Sequence, residues 1–122
     1  MNLEELRNHC LAIKKVEECT SFGEDILVYK IMNKMFAFFS LNPKDNEHFV
    51  VIKCDPGKTV ELREKYRGVT KGYYVGNSLM WNSVYIQKDV PDQLIMELIQ
   101  HSVDEVIKKL SKQKQKEYRD IV

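Results

Sequence analysis

The sequence has few of the features that mark a secreted, membrane-spanning or disulfide-bonded protein. Its three cysteines, Cys10, Cys19 and Cys54, are widely spaced and contain no Cys-x-x-Cys pair, which is typical of reduced cytosolic thiols. The longest apolar run, residues 35–39, is too short to cross a bilayer. Residues 1–5 lack the basic and apolar regions of a secretory signal. We therefore expect a cytoplasmic protein without a membrane partner.

Excess basic charge is also scarce. The formal net charge of the 122 residues is +1. Residues 1–107 carry 13 basic against 16 acidic side chains, a net of −3, whereas residues 108–122 carry 6 against 2, a net of +4. Nucleic-acid-binding domains usually show a strong basic surface. Any such surface on this protein must therefore be local.

The sequence does contain enough apolar residues for a folded core. Hydrophobic residues make up 43% and charged residues 30%, as in ordinary globular proteins. No linker or internal repeat divides the chain, so we expect one domain over residues 1–122, and we favour a monomer. Because the apolar periodicity stops after Leu110, residues 110–122 are expected to form a charged, partly frayed end.

Apolar periodicity and capping residues predict three helices and five strands. The helices are expected over about residues 3–14, from Asp55-Pro56 to about residue 67, and from residue 89 or 92 onward. Strands are expected over residues 26–31, 35–41, 48–54, 72–75 and 80–87. The order α-β-β-β-α-β-β-α has mostly short connections. It predicts an α+β fold, with helices packed on a single mainly antiparallel sheet.

Side-chain alternation along the second strand predicts two apolar faces. One face would carry Met35, Ala37, Phe39 and Leu41, and the other would carry Phe36 and Phe38. An exposed aromatic face could stack nucleobases. A central strand covered on both faces is the interpretation that the continuous apolar run favours.

No catalytic constellation can be assembled from the sequence, so we predict neither enzyme activity nor a cofactor. There is no nucleophile elbow and no glycine-rich phosphate loop. Glu97, His101 and Asp104 share one face of the third helix at spacings that could hold a metal ion. A solvated polar face is the more common explanation, and we predict no metal site.

Two binding hypotheses remain. Lysines at strand ends could contact a phosphate backbone, helped by nearby amide side chains; the candidates are Lys34, Lys44, Lys71, Asn77 and Asn82. Alternatively, aromatic residues could line a pocket for a small molecule or peptide; the candidates are Tyr73, Tyr74, Trp81 and Tyr85. Solubilising lysines and a tryptophan that anchors the core are the simpler explanations of the same residues.

Several short stretches, taken in order, resemble the MmcQ/YjbR family of small bacterial proteins. They are Phe22-Gly23-Glu24-Asp25, Lys34-Met35-Phe36-Ala37, Lys53-Cys54-Asp55-Pro56, Glu61-Leu62-Arg63, Gly72-Tyr73, Trp81-Asn82-Ser83-Val84 and His101-Ser102-Val103-Asp104. The resemblance covers nearly the whole chain. It implies a CyaY-like α+β fold and DNA binding through a double-wing arrangement of β-hairpins. For this chain we expect binding of double-stranded DNA that is weak or salt-sensitive.

The chain departs from the family pattern just before its only tryptophan. Relatives often carry a basic stretch there, whereas this sequence has Asn77-Ser78-Leu79-Met80, without a positive charge. The wing that contains this stretch would therefore make fewer phosphate contacts than in relatives. Lys34, Lys44, Lys71 and the lysines after residue 107 are the remaining candidates for such contacts.

Overall fold

One antiparallel sheet organises the protein. The computed structural model describes residues 1–43, 45–76 and 79–121. Its strands are β1 (Glu17–Cys19), β2 (Ile26–Ile31), β3 (Lys34–Ser40), β4 (Phe49–Lys53), β5 (Val69–Lys71) and β6 (Trp81–Tyr85). The strands lie in the order β1-β2-β3-β4-β6-β5, and every neighbouring pair is antiparallel. The predicted α+β class and single antiparallel sheet are confirmed.

The helices share one face of this sheet. They are α1 (Leu3–Leu11), α2 (Pro56–Lys65), α3 (Asp92–Lys108) and α4 (Lys112–Arg119), and each contributes side chains to the larger hydrophobic core. Six residues of α3 are buried against the sheet: Ile95, Leu98, Ile99, Ser102, Val103 and Val106. Among the described residues, no helix is long and apolar enough to cross a membrane.

The opposite face of the sheet carries a smaller apolar cluster. Val28, Phe38 and Val51 are buried there, and strand and loop residues, but no described helix residue, pack around them. Phe22, which is 54% exposed, makes an edge contact with Phe38 at a centroid distance of 5.7 Å. Strand β3 is therefore covered on both faces, although by helices on only one.

A β-bulge changes the predicted faces of β3. Tyr29 pairs with Ala37, but Lys30 pairs with Met35, so Phe36 is an extra residue in the ladder. As a result, Phe36 lies in the core beside Ala37, and Met35 packs on the opposite face. The prediction that Met35 and Ala37 share a face was wrong because strict alternation does not hold across a bulge.

The turn before β3 is as predicted. Asn33 has a φ of 66° and Met32 a φ of 46°, so both central residues of the β2–β3 turn are left-handed. This backbone geometry matches the right-handed twist of a two-residue hairpin. It places Lys34 at the start of β3.

Strand β1 was not predicted, because its residues are mostly acidic. It is held by Glu18, whose carboxylate accepts hydrogen bonds from both Arg7 Nε at 2.9 Å and Arg7 Nη2 at 2.7 Å. The Tyr29 hydroxyl donates to the same carboxylate at 2.7 Å. The hydrogen bonds from Arg7 lower the pKa of Glu18. A polar clamp, rather than apolar alternation, thus attaches this edge strand to α1 and β2.

Helix α4 occupies part of the end that was expected to fray. Ser111 caps it by accepting a hydrogen bond from the Lys114 amide at 3.3 Å. Tyr118 is 7% exposed, and its hydroxyl donates to the Lys14 carbonyl at 2.8 Å. The Lys14 ammonium lies 4.6 Å from the centre of the Tyr118 ring. One aromatic anchor is too weak a sequence signal to predict such a charged helix.

Three further boundaries differ from the predictions. Helix α1 ends at Leu11, before the predicted residue 14. Helix α2 ends at Lys65, just before the predicted residue 67, and it buries Thr59 and Leu62. The strand predicted over residues 72–75 lies instead at Val69–Lys71, and a turn follows it.

Candidate functional site

A basic cleft lies at one end of the sheet, where β3 begins, β4 ends and β6 begins. It has a volume of about 410 Å³ and is lined by Lys34, Met35, Lys53, Trp81, Val106, Lys109 and Leu110. We call it the lysine cleft. Lys53 pairs with Trp81 across β4 and β6. Val106 of α3 and the two residues that follow the helix, Lys109 and Leu110, complete the lining. Among the described residues, no acidic side chain lines it.

Two adjacent residues of α3 hold the end of β4 in place. The Ser102 hydroxyl donates to the Lys53 carbonyl. His101 Nε2 accepts a hydrogen bond from the Asp55 backbone N–H at 3.1 Å. Asp55 in turn caps α2 by accepting from the Lys58 amide at 3.2 Å. These bonds fix the backbone of Lys53 relative to α3, and therefore relative to Lys109.

The three lysines of the cleft repel one another. Burial lowers the pKa of Lys53, and the positive charges of Lys109 and Lys34 lower it further, while Glu105 acts in the opposite direction. Among the described residues, none of the three lysines is within ion-pair distance of a carboxylate. Like charges that are close and partly desolvated raise the local potential. The cleft is therefore suited to an anion.

Trp81 combines a structural contact with exposure to the cleft. Its half-buried ring packs on Phe38 at a centroid distance of 6.4 Å, and the Lys53 ammonium lies 5.7 Å from the ring centre. Gly72 packs directly against Trp81, since a Cβ at residue 72 would lie 2.7 Å from the Trp81 Cβ. The Gly72 amide also donates to the Trp81 carbonyl at 3.0 Å. The sole tryptophan is thus both a core anchor and part of the cleft wall.

Asn82 does not face a binding surface, which corrects the prediction that it contacts DNA. It is 0% exposed. Its amide nitrogen donates to Thr59 Oγ1 at 2.8 Å, and its oxygen accepts from Arg63 Nε at 2.8 Å. Asn82 points to the α2 side of the sheet because it alternates with Trp81 along β6. Its role is to join β6 to α2.

The other DNA-binding candidates are only partly brought together. Lys71 ends β5 and is exposed at the same end of the sheet as Lys34. Three strand spacings separate β3 from β5, a distance of about 14 Å. Lys44 and Asn77 lie outside the described residues, as does Ser78 of the loop that precedes Trp81.

The aromatic candidates divide between two cavities. Tyr73, Tyr74 and Tyr85 lie at the opposite end of the sheet from Trp81, in a cavity of about 440 Å³. We call it the tyrosine cavity, and its lining residues are Ser40, Asn42, Pro43, Asp45, Glu47, Phe49, Tyr73, Tyr74 and Tyr85. The prediction that Trp81 shares a pocket with the three tyrosines was therefore wrong. Opposite ends of β6 carry Trp81 and Tyr85.

The polar face of α3 does not gather into a metal site among the described residues. His101 Nε2 is occupied by the Asp55 amide. Burial lowers the pKa of His101, which favours the neutral imidazole that this hydrogen bond requires. Asp104 accepts from Gln100 at 3.0 Å, and Glu97 accepts from Gln93 at 3.4 Å. The three side chains that share this face have separate partners.

Sequence reasoning missed one of the three lysines in the cleft. Lys53 ends an apolar strand and does not lie in a turn, where contact lysines were expected, whereas Lys109 was included only as one of the lysines after residue 107. Lys53 does belong to the Lys53-Cys54-Asp55-Pro56 stretch that carries the family resemblance. Four of the seven lining residues, Lys34, Met35, Lys53 and Trp81, come from such stretches.

Comparison with known proteins identifies the family. The YjbR family model matches residues 11–104. The chain is 31% identical over 116 residues to the uncharacterised protein YbdF of Escherichia coli O157:H7, covering 95% of this chain and 93% of that protein. It is 24% identical over 116 residues to the uncharacterised protein YjbR of Escherichia coli strain K12, covering 95% and 96% of the two chains.

Solved structures show the same fold. The Deinococcus radiodurans protein DR2400, which has a DUF419 domain, superposes with a TM-score of 0.85 at 28% identity, over 96% of this chain and 87% of that chain. A Pseudomonas syringae protein matches with a TM-score of 0.71 at 18% identity, over 84% and 96%. The chain therefore belongs to the YjbR family, which its sequence motifs resemble.

Proposed function

We propose that this protein binds double-stranded DNA, with the phosphate backbone held at the lysine cleft. The observation that supports this most directly is the convergence of Lys34, Lys53 and Lys109 on one cleft without a carboxylate partner among the described residues. Lys34 lies at the tip of the β2–β3 hairpin, where a wing of a DNA-binding protein would carry its phosphate contact.

The electrostatics of the cleft favour phosphate. Mutual repulsion and burial both make the charged form of Lys53 less favourable in the free protein. A bound phosphate would relieve this repulsion, and its counterions would be released into solution. Lys71, about 14 Å away along the same end of the sheet, would contact a second part of the backbone.

The proposal assigns Trp81 a supporting contact. Its ring forms part of the cleft wall beside the Lys53 ammonium. There it would pack against the sugar of a bound strand, while the lysines hold the phosphates. Sequence-specific contacts are not part of the proposal, because Asn82, the amide nearest the cleft along β6, is fully buried.

Anisotropy of a fluorescently labelled DNA duplex at low salt tests this proposal. The wild-type protein is expected to bind. A variant with Lys34→Gln, Lys53→Gln and Lys109→Gln is expected to lose at least about tenfold in affinity. The matched control removes three exposed basic side chains that lie outside the cleft and are not predicted phosphate contacts, Lys15→Gln, Lys65→Gln and Arg67→Gln, and should retain most of the affinity. Emission from Trp81, the only tryptophan, reports in parallel whether DNA reaches the cleft.

Two results would contradict the proposal. One is the absence of duplex binding by the wild-type protein at low salt. The other is an equal loss of affinity in the cleft and control variants, which would indicate attraction to overall charge rather than to this site. Stronger binding of single-stranded DNA than of duplex would contradict the choice of duplex as the partner.

A further inference from the structure

The tyrosine cavity has a lining of a different chemical kind from the lysine cleft. Its volume of about 440 Å³ falls within the range of about 300–1,000 Å³ that is usual for small-molecule sites. Aromatic rings and two carboxylates dominate the wall, and no basic side chain lines it among the described residues. The hydrogen bond with Tyr85 lowers the pKa of Tyr73, and the charges of Lys71 and Lys88, which also reach this wall, add to this effect. The rings and the two carboxylates nonetheless form a lining to which a cation can bind.

Three rings form one wall of the cavity. Phe49 lies between Tyr73 and Tyr85, at centroid distances of 5.1 Å and 5.2 Å. The hydroxyls of Tyr73 and Tyr85 are 3.5 Å apart. Packed aromatic rings present the negative faces of their π systems, which bind ammonium groups.

Asp45 and Glu47 add negative charge to the same cavity. The hydrogen bond with the Tyr73 hydroxyl raises the pKa of Tyr85 to about 12, and burial, Glu47 and Asp45 contribute to the increase. Both carboxylates are therefore close enough to influence the Tyr85 hydroxyl. Asp45 and Glu47 themselves lie in the exposed loop between β3 and β4.

An ammonium group of the protein already uses part of this lining. Lys88 Nζ lies 4.2 Å from the centre of the Tyr85 ring and 3.4 Å from the Glu47 carboxylate. Lys88 is not among the residues that line the tyrosine cavity. The combination of the Tyr85 ring and the Glu47 carboxylate therefore accepts an ammonium, and the cavity side of the same residues remains open.

Tyr74 adds an exposed ring at the rim, on an unfavourable backbone. It is 83% exposed and has a φ of 66°. A bulky residue in the left-handed region costs free energy, and such strain is found at ligand-binding sites. The Tyr74 ring is therefore available to contact a ligand in the cavity.

We propose that the tyrosine cavity binds a small organic cation through an alkylammonium group. The ammonium would lie against the faces of the aromatic wall, with Asp45 and Glu47 balancing its charge and Tyr74 covering it from the rim. This site is separate from the lysine cleft, since the two cavities share no lining residue. The test of this site is therefore independent of the test of DNA binding.

Choline and its uncharged carbon isostere, in which a tert-butyl group replaces the trimethylammonium, provide the direct test. NMR titration of the tyrosine ring signals is expected to show saturable choline binding at about millimolar concentration, with shifts at Tyr73, Tyr74 and Tyr85. The isostere should bind at least about threefold more weakly, because it lacks the charge. Equal affinity for the two ligands, or no choline binding, would overturn the proposal.

Variants locate the site. Tyr74→Gly removes the rim ring and relieves the left-handed backbone, so choline should bind about threefold more weakly while the melting temperature stays equal or rises. Asp45→Asn with Glu47→Gln should also weaken binding. Glu61→Gln with Glu64→Gln, which removes two exposed carboxylates from α2, should not. Unchanged affinity in both cavity variants would place any choline site elsewhere and overturn the proposal.

Discussion

At the scale of single residues, the junction of β4 and α2 depends on a neutral histidine. His101 Nε2 can accept the Asp55 amide proton only while this nitrogen is unprotonated. Burial lowers the pKa of His101 from its ordinary value of 6.5, more than nearby Glu105 raises it. The unfolded chain therefore protonates this imidazole at a higher pH than the folded protein does.

Stability should accordingly fall as the pH is lowered through 6.5 towards the depressed pKa of His101. Over this window the free energy of unfolding of the wild type should decrease more steeply than that of His101→Gln, whose amide oxygen can accept the same bond without titrating. Urea unfolding at a series of pH values measures this. Parallel pH profiles for the two proteins would mean that His101 does not contribute to the pH dependence.

The wall of the lysine cleft depends on Gly72, which packs against Trp81. A methyl group at this position would lie 2.7 Å from the Trp81 Cβ and 2.8 Å from Val75 Cγ2. We expect Gly72→Ala to destabilise the protein by about 1–3 kcal/mol, because β6 or the following turn must shift. Chemical denaturation followed by Trp81 emission measures the loss.

The neighbouring glycine supplies the control for this substitution. A Cβ at Gly76 would meet no atom of the described residues within 4 Å. Gly76→Ala should therefore leave the free energy of unfolding within about 0.5 kcal/mol of the wild-type value. Equal stability of the two alanine variants would show that the approach of residue 72 to Trp81 is not restrictive.

At the scale of elements, one buried side chain anchors α4 to the rest of the protein. Tyr118 is its buried residue, and the Tyr118 hydroxyl is the hydrogen-bond partner of the Lys14 carbonyl. Tyr118→Phe should cost about 1 kcal/mol, because the part-buried carbonyl loses its donor, and amide exchange in α4 should accelerate. Tyr66→Phe is the control, since no hydrogen bond of the Tyr66 hydroxyl is found among the described residues. Equal exchange rates in the two variants would contradict this anchoring role.

Elements with a strong apolar period were predictable from the sequence, and polar ones were not. The stripe from Ile95 to Val106 defined α3, and the Asp55 cap defined the start of α2. By contrast, β1 depends on the bonds of Glu18 to Arg7 and Tyr29, which are distant in sequence. Such pairings leave no local pattern in the sequence. The β-bulge that directs the Phe36 side chain into the core leaves none either.

The candidate site shows the same division. Lys34 was predictable because a hairpin turn exposes it, but Lys53 and Lys109 are separated by 56 positions in sequence and meet only through the packing of α3 on β4. Local context also misassigned Asn82, whose alternation with Trp81 directs it to α2. Tertiary packing, rather than residue type, decided which candidates face a common cleft.

At the scale of the whole molecule, the sheet separates two cavities of opposite charge. The strands β3, β4 and β6 each contribute one end to the lysine cleft and the other end to the tyrosine cavity. From Phe49 to Lys53, the length of β4 separates the two by about 14 Å. The near-neutral net charge of +1 therefore conceals a basic end and an acidic end.

The salt dependence of duplex binding tests the central proposal most directly. Each phosphate contact contributes about 0.9 to the slope of the logarithm of the binding constant against the logarithm of the salt concentration. Removing Lys34, Lys53 and Lys109 should therefore reduce the magnitude of the slope by about 2–3, while the control variant lacking Lys15, Lys65 and Arg67 should keep the wild-type slope. Identical slopes for the cleft and control variants would contradict phosphate binding at the lysine cleft.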